Sequence, residues 1–304
     1  MEGIFEKYRP YLETRPCELC GQREGFRQLP TREKYRFPVG VALCPQCGLL
    51  FFNPMWSAQG YDRFYEADYR RLSRPDHAPE ARWADQQALG RWLCESALAG
   101  ILKPTHRVLE IGCDCGGTLA AIRERVGCEV IGVEPNQAAS AAARARGIPV
   151  KTRSFDGFEF EPESFDLILL AKTLNHMVHP VRAVQGVDRL LKRGGYFYTD
   201  LPDVVRGSSF RRVDAQIDHP FMYGASTGRL LLISNGFSIR KSWEFPRPHV
   251  MQIRLLAQKG AGPGAAGPEI RRSGRAVRRR MFWNTLKSPV TSFKQAWARR
   301  AGGN

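Results

Sequence analysis

The chain has 304 residues, 43% of them hydrophobic, which is enough for one α/β domain of ordinary size with an appendage. Its longest apolar runs, "LILLA" and "LLLIS", are strand- or helix-sized, which excludes a membrane-spanning helix. The formal charge of +16 suggests nucleic acid until it is located: from Lys259 onward there are eleven Lys/Arg against one acid, Glu269, leaving about +6 for the rest.

Residues 1–54 are rich in Cys, Gly and Pro. "MEGIFEKYRP" has no signal-peptide shape, so a cytoplasmic chain with reduced cysteines is expected. "CELC" (Cys17, Cys20) and "CPQCG" (Cys44, Cys47) are two C-x2-C pairs separated by 23 residues. Two tight turns of this kind let four thiolates converge on one tetrahedral ion, and with every place filled by Cys a bound zinc is structural. Cys94, Cys113, Cys115 and Cys128 are scattered and read as packing residues. Residues 55–104 carry aromatic and apolar side chains at helical spacing and read as a helical connector.

From 105 to 258, strand-like runs ("RVLEI", "EVIGV", "IPVKT", "FDLILL", "GYFYTDL") alternate with helical stretches starting at Gly117, Asn136, Pro180 and Ser226. That alternation predicts an α/β fold with a parallel sheet between two helical layers, and "FSIRKSWEF" and "VMQIRLLAQ" predict an antiparallel pair at its edge. The first strand runs into "EIGCDCGG": a glycine loop with Glu110 before Gly112, and Asp114 where a dinucleotide loop has its middle glycine. A diphosphate needs a close backbone approach and no negative charge there. A cationic adenosyl compound reverses the argument, because S-adenosylmethionine carries a sulfonium and an ammonium that carboxylates attract. Glu134, ending "VIGVE", lies about twenty residues downstream, where an acid grips ribose hydroxyls.

These motifs, with "SFDLILL", "LLKRGGYFYTDLPD" and "DHPFMYG…LLLISNGF", resemble the successive motifs of class I S-adenosylmethionine-dependent methyltransferases. "CELCG…CPQCGLLFFNP" is similar to the zinc ribbon of a subgroup found among sugar, polysaccharide and antibiotic-pathway enzymes. The resemblance covers roughly Cys17 to Gln258 and implies a Rossmann-like seven-stranded sheet with one antiparallel strand and cofactor across the carboxyl ends of the first strands. The cofactor-site expectation is Glu110, Gly112, Asp114, Gly116 and Glu134, with Ser154 and Phe155 flanking the adenine, though Phe155 could equally be core. Departures from the family pattern are Asp114, Asn175 before the histidine, and Arg193 in "LKRGG".

For a hydroxyl acceptor a histidine suits the general base. By family analogy His176 in "AKTLNHMVHP" is one candidate, and His219 in "DAQIDHPFMYG", near Asp218 and Tyr223, is the other; His179, beside Pro180, is expected to cap or hydrogen-bond. Neither Asn/Asp-Pro-Pro-Tyr nor a cysteine follows the fourth strand, which disfavours nucleobase modification. The substrate expectation is a small molecule or a glycan; RNA methylation and a non-catalytic binding module are the alternatives. Residues 259–304 read as a flexible linker and a basic amphipathic tail. Ser288-Pro289 would start a helix with Val290, Phe293 and Trp297 on one face, suited to an anionic membrane surface, to RNA, or to no partner.

Overall fold

The computed structural model describes residues 2–69, 72, 79–157, 160–246, 251–260 and 267–301, with side chains described at all of these except 2, 79–81, 246 and 288–301. Seven strands form the main sheet: β1 (Arg107–Ile111), β2 (Glu129–Val133), β3 (Val150–Lys151), β4 (Phe165–Ala171), β5 (Leu191–Asp203), β6 (Phe237–Pro246) and β7 (Met251–Lys259). Their order is β6-β7-β5-β4-β1-β2-β3. β1 pairs in parallel with β2 and β4, and β4 with β5, while β7 runs antiparallel to both β5 and β6. The near-continuous apolar character of β1 and β4 follows from this placement, because a central parallel strand is covered on both faces. After β3 the chain crosses to the other side of β1, so the carboxyl ends of β1 and β4 flank the switch point where open α/β sheets bind ligands.

The main helices are α1 (Ala58–Ala67), α2 (Pro79–Trp92), α3 (Gly117–Val126), α4 (Gln137–Ala145), α5 (Pro180–Leu190), α6 (Ala225–Ser234) and α7 (Gly267–Ala301). Helix α3 starts after left-handed Gly116, which offers no capping side chain. The cap comes from α2 instead: Gln86 Oε1 accepts the Gly117 N–H at 2.8 Å. The two helices touch at Gly90, where a Cβ would stand 2.6 Å from the Thr118 carbonyl oxygen. Asn136 caps α4 by accepting the Ala139 N–H, and Pro180 opens α5.

The cysteine-rich segment is built into the same body. Its strands Arg27–Leu29, Val41–Leu43 and Leu50–Phe52 are extended by Phe221–Met222, and Thr31–Glu33 pairs in parallel with Val213–Ala215. One hydrophobic core contains Phe51, Phe52, Trp56 and Phe64 together with Leu109, Ile168 and Phe197 of the sheet. The cysteine-rich segment is thus fastened to the loops between β5 and α6.

Two expectations for the last segment are corrected. Its first half is no free tail: Val277 and Met281 are fully buried, a Cβ on Gly274 would lie 1.9 Å from the Gln46 carbonyl oxygen, and Asn284 Nδ2 donates to the Ser208 carbonyl at 2.7 Å. Nor does a helix start at Ser288, because α7 runs unbroken from Gly267 through Pro289, which itself donates no hydrogen bond; once the docked turns exist, extension needs no new nucleation. The side chains of Val290, Phe293 and Trp297 lie outside the described residues. No described helix is long and apolar enough to cross a membrane.

Candidate functional site

The four cysteines of the paired motifs converge. Each knuckle makes the same turn: Gly21 N–H donates to the Cys17 carbonyl and Gly48 N–H to the Cys44 carbonyl, with both glycines left-handed (φ 74° and 81°). The Sγ atoms of Cys17 and Cys47, and of Cys20 and Cys44, lie 3.5 Å apart, and all four fall within 4.8 Å of one another. A tetrahedron with the usual Zn–S bond has edges of about 3.8 Å, so the donor set fits such an ion. Hydrogen bonds within the set hold Cys20 and Cys44 below the ordinary thiol value and push Cys17 and Cys47 above it.

At the switch point, a cleft opens between the glycine loop, Ala171–Thr173 at the end of β4, and α2. Glu110 lies in its floor, 1% exposed, and its Oε2 has no hydrogen-bond partner. Burial raises its carboxyl well above the ordinary value; Thr118 opposes the shift, while Asp114, Asp200 and Glu134 add to it. Three further acids therefore act on Glu110; Asp114 is offset by Arg82 and Asp200 stands 4.0 Å from Arg254, whereas no basic side chain is described against Glu110 itself. Left-handed Gly112 passes so close to Thr173 that a Cβ would meet its Oγ1 at 2.5 Å. Asp114 also adopts a left-handed conformation (φ 48°), which Asp tolerates better than most residues. Its N–H donates to Glu134 Oε2 at 3.1 Å, and its carboxylate pairs with Arg82 of α2 at 2.9 Å. Glu134 Oε1 accepts the Asn136 N–H, which fixes the carboxylate beside the loop.

The other expected cofactor residues divide. Gly116 sits behind the loop, its Cβ position 3.1 Å from Ala143. Phe155 packs on the core, 3.2 Å from the Cβ position of Gly186 in α5, and Ser154 is exposed. The motifs did not reveal Arg82, Gln86, Lys172 or Asp200. Asp200, three residues before the end of β5, is fully buried and accepts the Lys172 N–H. Gln86 holds the loop through Cys113, Cys115 and Gly117.

Beyond Thr173 the chain forms a short turn, Leu174–His176, that delivers His176 to His219: their ring centroids are 4.5 Å apart, nearly perpendicular. His176 Nδ1 lies 2.8 Å from the Asp218 carbonyl oxygen. A carbonyl only accepts, so Nδ1 carries the proton and Nε2 keeps the lone pair. Tyr65, in the last turn of α1, donates to the same carbonyl at 2.9 Å, and its ring and that of Tyr69 pack on His176. Asp218 is 2% exposed, with Oδ1 unpartnered and Oδ2 3.7 Å from His219 Nε2. Asn175, the unusual residue before His176, is buried with Oδ1 unpartnered. His179 does not join this group: its Nδ1 is 3.1 Å from Glu18 of the first knuckle. Tyr223 is buried.

Both histidine loops rest on the cysteine-rich segment. Arg15 donates to the Val178 carbonyl, Glu33 Oε1 accepts the Ile217 N–H at 3.0 Å, and Phe221 pairs with Phe51.

Residues 109–199 match the family model described as "Methyltransferase domain". A ubiquinone biosynthesis O-methyltransferase of Hahella chejuensis is 31% identical over 98 residues, covering 30% of this chain and 41% of the relative. A protein-L-isoaspartate O-methyltransferase of Methylorubrum extorquens is 42% identical over 76 residues, covering 23% and 33%. The chain thus spans less than half the length of these curated relatives. Among solved structures, a Burkholderia thailandensis 1,6-didemethyltoxoflavin-N1-methyltransferase with S-adenosylhomocysteine bound superposes with a TM-score of 0.54 at 16% identity, over 73% of this chain and 96% of that one. Strand order and the superposition agree with the matched region on the fold: this chain has the class I S-adenosylmethionine-dependent methyltransferase fold.

Proposed function

We propose that the protein transfers a methyl group from S-adenosylmethionine to a hydroxyl of a small molecule or glycan, with a sugar or lipid-linked saccharide as the leading class, in the cytoplasm. The observation that carries this reading is Glu110: a buried carboxylate with an unpartnered oxygen, among three further acids, suits a cationic adenosyl ligand and repels a diphosphate. Glu110, Gly112 and Thr173 would line the cofactor, Glu134 would take the ribose hydroxyls, and Arg82 would hold Asp114 clear of them. The cofactor supplies a methyl group on a sulfonium, open to in-line attack. His219 is the residue placed to take the acceptor's proton, because the Asp218 carboxylate beside it stabilises the imidazolium that results. His176, with its tautomer set by the Asp218 carbonyl, presents Nε2 as an acceptor that orients the same hydroxyl.

Four cysteines at tetrahedral spacing support a structural zinc in the knuckles, which would keep both histidine loops in register. The names of the relatives, an O-methyltransferase for a quinone and an N-methyltransferase for a heterocycle, favour a small acceptor. The test is transfer of labelled methyl to a panel of sugar nucleotides, lipid-linked saccharides, phenols and RNA. A sugar or other small acceptor is expected to be labelled, with His219→Ala lowering turnover at least a hundredfold. Labelling of RNA alone would reject the reading.

A further inference from the structure

We propose that the outward face of α7 is a docking surface for an anionic lipid bilayer. The helix has two unlike sides. The inner one, with Val277 and Met281 buried and Asn284 and Thr285 hydrogen-bonded to residues 205–210, is fixed to the protein. The outer one exposes Arg271, Arg272, Arg275 and Arg279 and then Phe282, Trp283 and Leu286. At 100° per residue these seven positions fall within about 120° of one another. The large hydrophobic side chains exposed among the described residues are these three, at 52, 53 and 50%.

An aromatic and leucine cluster beside a row of arginines matches the boundary between lipid headgroups and acyl chains: rings enter the interface while guanidinium groups bind phosphate. Glu269 is the one acid between Lys259 and the end of the chain, so charge complementarity selects an anionic surface. RNA would use the arginines as well, but it offers no apolar phase to Leu286. Because the inner face is already docked, the surface is presented in a fixed orientation and pays no folding cost on binding. The inference goes beyond the methyl-transfer reading and stands whether or not that reading holds.

The test is co-sedimentation of the full chain with phosphatidylcholine vesicles, with phosphatidylcholine/phosphatidylglycerol vesicles, and parallel titration of a fluorescent single-stranded RNA. Binding to the anionic vesicles alone is expected, with a blue shift of Trp283 emission that is absent in Trp283→Phe. Arg272→Gln/Arg275→Gln/Arg279→Gln should weaken it about a hundredfold, roughly fivefold per arginine. Phe282→Ser/Trp283→Ser/Leu286→Ser should weaken vesicle binding at least tenfold while leaving RNA titration and the melting temperature unchanged. No vesicle binding by the full chain overturns the proposal. So does vesicle binding that the serine variant retains, or RNA binding that outcompetes the vesicles.

Discussion

Glu33 offers a way to separate the histidine loops from the cofactor cleft. It is buried, and its carboxylate accepts three backbone N–H groups: Tyr35 at 2.7 Å, Phe37 at 2.9 Å and, across the chain, Ile217 at 3.0 Å. Glu33→Ala leaves all three without an acceptor, at about 1 kcal/mol or more each, or roughly 3 kcal/mol in total. Part of that returns, because burial already disfavours the charge and raises the carboxyl above its ordinary value despite the three donors. A net loss of about 2 kcal/mol lowers the melting temperature by roughly 5 °C and leaves the protein folded. The freed Ile217 lies two residues before His219, so turnover should fall tenfold or more, since misplacement of a reacting group by about 1 Å costs up to a hundredfold. Cofactor affinity, set by the glycine loop, should stay within about twofold. The assays are thermal unfolding, methyl transfer and calorimetry on one preparation. A variant that melts lower but turns over at the normal rate would refute the coupling between the cysteine-rich segment and His219.

Gly274→Ala should force α7 off the second knuckle, because its Cβ would lie 1.9 Å from the Gln46 carbonyl oxygen and 2.8 Å from its carbon, both backbone atoms. A melting temperature at least several degrees lower is expected, by about 2–4 °C per kcal/mol, with loss of protection from proteolysis after residue 267. Elemental analysis should find one zinc per chain, reduced to none by Cys44→Ser; chelation should abolish turnover before it weakens cofactor binding, since the hydrogen bonds described for the glycine loop run to Val133, Glu134 and Gln86 and not to the knuckles. The pH dependence of cofactor binding follows from Glu110. Its pKa is raised in the free protein, and a bound cation favours the ionised form. Binding therefore releases protons, and affinity climbs with pH through the raised pKa, levelling once Glu110 is ionised beforehand; calorimetry in buffers of different ionisation enthalpy measures this.

Much of the fold was legible because the relevant signals are local. Helices start at Gly117 and Pro180, where a glycine turn and a helix-opening proline mark them, and the reversed final strand follows from two strand-like runs with a short connection. The two knuckles were legible from cysteine spacing. The convergence of His176 with His219 was not, because nothing in either stretch specifies the partner; family analogy named His176, and His219 was a second candidate from a loop that also carries Asp218 and Tyr223. Tyr65 could have been noticed as the middle of Tyr61, Tyr65 and Tyr69 at four-residue spacing, but that pattern equally describes a core face, and of the three only Tyr61 is fully buried. Arg82 and Gln86 sit on a helix with little amphipathic character. Their role depends on its crossing over the glycine loop, a tertiary fact. Phe155 shows the converse: an aromatic at the expected distance after β3 that packs on Gly186.

The measurement that bears most directly on the electrostatic reading of the cleft is titration calorimetry of the full chain with S-adenosylmethionine, its demethylated product and nicotinamide dinucleotide, in wild type and Glu110→Gln. Binding of both adenosyl compounds is expected, with no heat from the dinucleotide, and the substitution should weaken the sulfonium ligand roughly tenfold relative to its neutral product. A dinucleotide that binds, or a Glu110→Gln chain that holds S-adenosylmethionine as tightly as wild type, would contradict the account.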